Sequence, residues 1–152
     1  MTVFHQAAVA VLLLILTLWL QCAGVAALIE WLKRVMARGI YTLGSIRAAV
    51  LVMQAALAMI VLHGLVILFW ATFYRLHCFP SWDLAFYFSG STYATVGYGD
   101  VILPSQWRLL GPLESLTGVL MCGVSVSILF ALVTRLVDSH DTQKTSPLNI
   151  SH

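Results

Sequence analysis

Charged side chains are so sparse along this chain that the gaps between them set its layout. Residues 1–29 contain no Asp, Glu, Lys or Arg, and neither do residues 48–74 or 115–134. A helix needs roughly 20 consecutive apolar residues to cross a hydrocarbon core at about 1.5 Å per residue. Each gap is long enough, so the pattern predicts three spanning helices, over about 3–29, 46–74 and 113–137. A fourth uncharged stretch, 84–99, is shorter and carries Ser89, Gly90, Ser91, Thr92, Gly97 and Gly99. That composition does not suit a spanning helix. It predicts a re-entrant segment, which survives at membrane depth only where protein or a water-filled cavity surrounds it.

Composition narrows the function classes. Hydrophobic residues make up 61% of the 152 and charged residues 9%, against about 25% charged in ordinary soluble domains. A soluble globular enzyme is excluded, and the chain is expected to lie in a lipid bilayer. The formal net charge is +2 and the eight Lys and Arg are scattered. No basic stripe follows a phosphate backbone, so no nucleic-acid partner is expected. Cys22, Cys78 and Cys122 lack CxxC spacing. They form neither a disulfide framework nor a zinc site. No nucleophile–base pair or ligand cluster points to an enzyme, and no cofactor is expected. The first apolar run lacks a basic leader and exceeds a typical signal-peptide core, so it reads as a retained helix.

Basic residues set the orientation. The first linker carries Lys33, Arg34, Arg38 and Arg47 against Glu30, whereas the second carries Arg75 and Arg108 against Asp83 and Asp100. The positive-inside rule makes the first linker cytoplasmic. The N-terminus and the re-entrant segment then face outward and the C-terminus inward, in the cell membrane (the inner membrane of a bacterium). Two readings of the linker stay open: a partly helical segment along the inner surface, or a solvated connection. Three regions result: 1–45, the first helix and its linker; 46–137, the main membrane unit; and 138–152, a polar tail expected to be disordered.

The chemistry lies in residues 95–100, Thr-Val-Gly-Tyr-Gly-Asp. A helix start signal (Pro80, Ser81, Asp83) and a short helix over Trp82–Tyr93 precede them, and a spanning helix follows. Here the chain resembles the potassium channel pore family, whose selectivity filter carries this signature. Trp107, Arg108 and Gly118 resemble the post-filter region and mid-helix glycine of simple two-helix bacterial channels. The likeness covers 46–137 and suits a small prokaryotic channel with one extra helix before a two-helix pore unit.

The resemblance implies an all-α membrane protein with three transmembrane helices, a re-entrant pore helix and a selectivity filter. One chain holds one filter segment, so three identical subunits must join it in a homotetramer. Potassium would be the permeating ion, held at Thr95, Val96, Gly97 and Tyr98, with Gly99 completing the segment. Rings of carbonyls replace its hydration shell. For successive carbonyls to face one side the backbone must alternate in hand, and glycine reaches φ > 0 cheaply at Gly97 and Gly99. Val96 and Tyr98 are expected to point away from the axis and brace the segment. The family further implies a Tyr87–Asp100 strut, with Ser91 where related channels carry Glu. Gly118 would be a hinge, with Val119, Cys122, Val126 and Phe130 one stripe facing the axis. Four Phe130 rings could then dewet the path. The implied function is passive, selective potassium conduction. Its rivals are a weakly selective channel and a non-conducting subunit that uses the pore fold to bind partners.

Other residues carry milder expectations. His63, mid-span, suits a neutral imidazole bonded to a backbone or hydroxyl group better than a proton sensor. Glu114 is expected in the first turn of the last helix, favoured there by the dipole, and within reach of groups behind the filter. Gly90 reads either as a close contact with the last helix or as a local weakness. Trp70, Phe73, Tyr74, Trp82 and Phe86 are expected to form an interfacial belt and a cuff around the filter. No helix carries Arg or Lys at every third position, so no voltage sensor is expected.

Overall fold

The computed structural model describes residues 3–37 and 45–145. Four α-helices follow in order: α1 (Val3–Ala37), α2 (Ser45–His77), α3 (Trp82–Tyr93) and α4 (Leu110–Thr145), with a 3₁₀ turn over Ser105–Trp107 before α4. α1, α2 and α4 are each long and apolar enough to cross a membrane, and α3 is not.

Local chemistry sets the ends of these helices. The Cys78 and Phe79 amides both close on the Tyr74 carbonyl, at 2.8 and 2.9 Å. Pro80 follows, and proline cannot continue a helix. Ser81 then caps α3, its Oγ accepting the Leu84 amide at 3.4 Å, with Asp83 in the first turn where the helix dipole favours an anion. α3 occupies the residues expected of it. α4 starts three residues before the expected 113, because Pro112 falls in its first turn, where no amide bond is lost.

The long helices outrun their expected bounds. α1 continues past residue 29 through Glu30, Lys33 and Arg34, with Arg34 and Glu30 paired at 3.3 Å one turn apart on the exposed face. The start of the expected linker is therefore helical, while residues 38–44 lie outside the described part. α4 runs to Thr145, so the region 138–152 begins as helix rather than as a tail. Residues 146–152 again lie outside the description.

Packing explains how α3 is held. Two apolar clusters mark the ends of the bundle. One joins Ala10 and Leu13 of α1, Val66, Trp70, Ala71 and Tyr74 of α2, and Leu110 of α4 around Ala85, Phe88 and Tyr93 of α3. The other joins Leu28 and Leu32, Leu51, Ala55 and Met59, and Leu132. α1 and α4 therefore run parallel, with α2 antiparallel to both and each of the three packed against the other two. The N-terminal end of α1 and the loop after α3 share one side. In lipid, helices gain little from burying apolar surface against each other, so small residues and interhelical hydrogen bonds matter more. Gly118 illustrates the first: a Cβ there would run into the Tyr93 carbonyl. The Ser115 hydroxyl illustrates the second, donating to the Thr92 carbonyl at 2.8 Å. Both fix the C-terminal end of α3 against α4.

Candidate functional site

The chain leaves α3 through a tight turn. The Ala94 amide donates to Gly90 O (3.0 Å) and the Thr95 amide to Thr92 O (2.9 Å). The Val96 and Gly97 amides both donate to the Ser91 carbonyl, at 2.8 and 3.2 Å. One carbonyl thus ties the start of 95–100 back to the helix. Beyond it the backbone is left-handed at Thr95 (φ 59°), Gly97 (φ 53°) and Gly99 (φ 79°). Thr95 is the sole non-glycine residue in that region of φ among the described residues. A β-branched residue held there stores roughly 1–3 kcal/mol of strain, which persists only where the surroundings impose it. Successive peptide carbonyls can face one side only if the backbone alternates in hand, and left-handed φ at every second position meets that requirement. The sequence pointed to the two glycines for this alternation, and Thr95 extends it by one step.

Behind the segment, Tyr87 Oη donates to Asp100 Oδ2 at 2.8 Å, and the other Asp100 oxygen accepts the Val101 amide at 3.0 Å. The Tyr98 ring stacks on the Tyr87 ring, 6.3 Å between centroids and 9° apart. The bond to Asp100, first among its causes, holds the Tyr87 hydroxyl above the ordinary tyrosine range. Ser91 is not part of this pair: its hydroxyl turns back to the Phe88 carbonyl at 3.0 Å. Its carbonyl is what ties to the segment, through the Val96 and Gly97 amides. Within one subunit Val96 and Tyr98 have little cover. Both are exposed, and the Tyr87 stack is the ring contact that Tyr98 makes. A single subunit does not brace them.

Glu114 lies in the second turn of α4, not the first, and is fully buried. Its Oε2 meets the Tyr74 hydroxyl at 2.8 Å and its Oε1 the Ser89 hydroxyl at 2.5 Å. These contacts join α2, α3 and α4 behind the segment. Trp70 and Tyr74 are buried here too, because that face of α2 is turned to α3. Only Trp82 and Phe86 of the expected belt stand exposed. Phe73 instead packs edge-on against the buried Trp107, 5.3 Å away. Gly90 faces Ile67 of α2 with room to spare, so it does not serve close packing with α4.

On α4, Val119, Cys122, Val126 and Phe130 all stand exposed as one stripe, Phe130 at 72%. His63 sits between two hydroxyls: Nδ1 is 2.8 Å from Tyr93 Oη and Nε2 is 2.9 Å from Ser125 Oγ. Gln21 joins them, donating to Tyr93 Oη at 2.9 Å. Sequence reasoning did not single out Gln21 or Ser125. The available signal was an amide in the middle of an apolar run, which needs a partner in lipid. Among the described residues no group of His, Cys, Asp or Glu could hold a metal ion.

A family model described as an ion channel matches residues 60–135, which is 76 of the 152 residues. The match takes in much of α2, all of α3, the segment after it and most of α4. No curated protein and no solved structure matches the chain.

Proposed function

Because the chain belongs to the ion channel family and is a multi-pass membrane protein, we propose that it is one subunit of a homotetrameric, potassium-selective channel whose filter is Thr95–Gly99. The alternation of backbone hand at 95, 97 and 99 carries this reading. Four such segments around an axis would line it with rings of carbonyls, able to replace the water that a potassium ion sheds.

Other features fit the same assembly. α3 would enter from outside as the re-entrant pore helix, about 18 Å long at 1.5 Å per residue. Its C-terminal, negative end would point at the membrane centre and favour a cation beneath the filter. The exposed residues of 94–100 and the exposed α4 stripe from Val119 to Phe130 lack cover within one subunit. Neighbouring copies and a water-filled path would supply it. Tyr87 and Asp100 would brace the outer end, and Glu114 the back of α3. The N-terminus would lie outside the cell membrane and the C-terminus within. No cofactor enters this reading, and potassium is the permeating ion.

Purified protein in liposomes under a potassium gradient tests the proposal. Potassium flux with little sodium flux is expected. Gly97→Ala should abolish selective flux, because the left-handed backbone at Gly97 opposes a Cβ even where its own subunit leaves room for one. Equal sodium and potassium fluxes would mark a channel of weak selectivity. No flux from assembled protein would mark a non-conducting subunit. Wild-type selectivity in Gly97→Ala would remove the filter from 95–99.

A further inference from the structure

Gln21 lies midway along α1 and is 1% exposed. An amide at that depth costs free energy unless it is hydrogen-bonded. One turn earlier, Thr17 is also buried, but it bonds its own helix, donating to the Leu13 carbonyl at 2.7 Å. Gln21 bonds across helices. Its Nε2 reaches the Tyr93 hydroxyl, while its Oε1 is buried with no partner. A half-satisfied buried amide is a poor contributor to stability. An apolar residue of similar volume would suit the span better, so what Gln21 offers is the bond to Tyr93.

That bond starts a chain whose hydrogens count out consistently. Tyr93 Oη accepts from Gln21, and in the Nε2–H tautomer of His63 its single hydrogen goes to Nδ1. His63 Nε2–H then donates to Ser125 Oγ. The imidazole is neutral in this arrangement. The chain links α1 to the last residue of α3, then to α2, then to the middle of α4 beside Val126.

Tyr93 stands two residues before Thr95. Its carbonyl rests on Gly118 of α4, and its ring tip is held by α1 and α2. The turn that follows hangs on the Ser91 and Thr92 carbonyls, so a tilt of Tyr93 passes directly to residues 95–97.

We propose that Gln21 is a positioning residue for the filter. Through Tyr93 it makes α1, which lies outside the matched residues 60–135, part of the conducting unit. This rests on the reading of Thr95–Gly99 as a potassium filter.

The test compares Gln21→Leu, Tyr93→Phe, their double variant and Thr17→Val with wild type in liposomes. Potassium and sodium fluxes are measured, and thermal unfolding is followed in the same detergent. Gln21→Leu should unfold no earlier than wild type. Its potassium-over-sodium flux ratio should fall about fivefold, the factor one net hydrogen bond supports. Thr17→Val should leave the ratio unchanged, and the double variant should match Tyr93→Phe alone. An unchanged ratio in Gln21→Leu overturns the inference while the filter reading stands. So does an equal fall in Thr17→Val, which would assign the effect to general packing of α1. So does an additive double variant. Should Gln21→Leu fail to assemble, Tyr93→Phe, which keeps the ring, must show the loss of ratio. A wild-type protein without selectivity overturns both readings.

Discussion

Replacing Glu114 separates two accounts of the buried carboxyl. Ser89 Oγ is 2.9 Å from the Ile67 carbonyl and 2.5 Å from Glu114 Oε1. Both partners are oxygens, and the hydroxyl has one hydrogen to give. If both contacts are hydrogen bonds, the second hydrogen comes from Glu114. The carboxyl is then the neutral acid, donating to Ser89 and accepting from Tyr74. Gln copies that pattern: its amide N–H replaces the acid proton and its carbonyl accepts the Tyr74 hydroxyl. Glu114→Gln should therefore cost less than about 1 kcal/mol per subunit. Leu has nearly the same bulk but leaves the fully buried Tyr74 hydroxyl without an acceptor, at about 1–3 kcal/mol, and removes the Ser89 bond, at about 1 kcal/mol. The sum is about 2–4 kcal/mol per subunit, which lowers an unfolding midpoint by on the order of 10 °C. Thermal unfolding of the three proteins in one detergent reads this. Equal damage from Gln and Leu would refute the reasoning, because it would mean that the site needs a charge.

Phe130→Ala should raise basal potassium flux if the exposed rings form a dewetting constriction, and unchanged flux from intact tetramers would place the gate elsewhere. Gly118→Ala should destabilise the assembly by about 1–3 kcal/mol, because its Cβ meets the rigid Tyr93 carbonyl, and unfolding measurements that match wild type would contradict that contact. Tyr87→Phe and Asp100→Asn should each lower potassium selectivity or speed its decay, with the double variant no worse than either, and additive losses would show that the two do not act through one bond. The Tyr87 hydroxyl is held above its ordinary value of 10.0, so on the alkaline side the bond keeps its donor proton through pH 10 and loses it as pH rises through the raised value. Selectivity that fell between pH 7 and 9 in wild type but not in Tyr87→Phe would contradict this.

Much of the fold was legible because lipid imposes simple rules. A run of about 20 apolar residues without charges reads as a spanning helix, and Ser81 after Pro80 announces α3 residue by residue. The ends of α1 and α4 were not legible, because a helix does not stop where the hydrocarbon stops. Glu30, Lys33 and Arg34 remain helical while their charged tips reach water. The Tyr87–Asp100 contact followed from the resemblance, and φ > 0 at Gly97 and Gly99 from backbone chemistry. Partners fixed by tertiary packing were hidden. Nothing in the sequence tells that the Ser91 hydroxyl folds back on its own helix, or that Tyr74 turns inward to Glu114. Gln21 carries no charge and so left no mark in a reading built on charges.

The seat of Gly118 against the Tyr93 carbonyl has a mechanical consequence. From Gly118 to Thr145 the helix is an arm of about 40 Å at 1.5 Å per residue. A swing of about 10° at Gly118 would carry its far tip about 7 Å, while the same rotation at the fulcrum works on the carbonyl just before Ala94. A small force at the tip would thus be geared down to a short, strong push at the root of residues 95–99, the proposed filter. A strained filter would be geared up into a large sweep below. On the proposed reading, the two ends of the conduction path would then behave as the ends of one lever, with its pivot at Gly118.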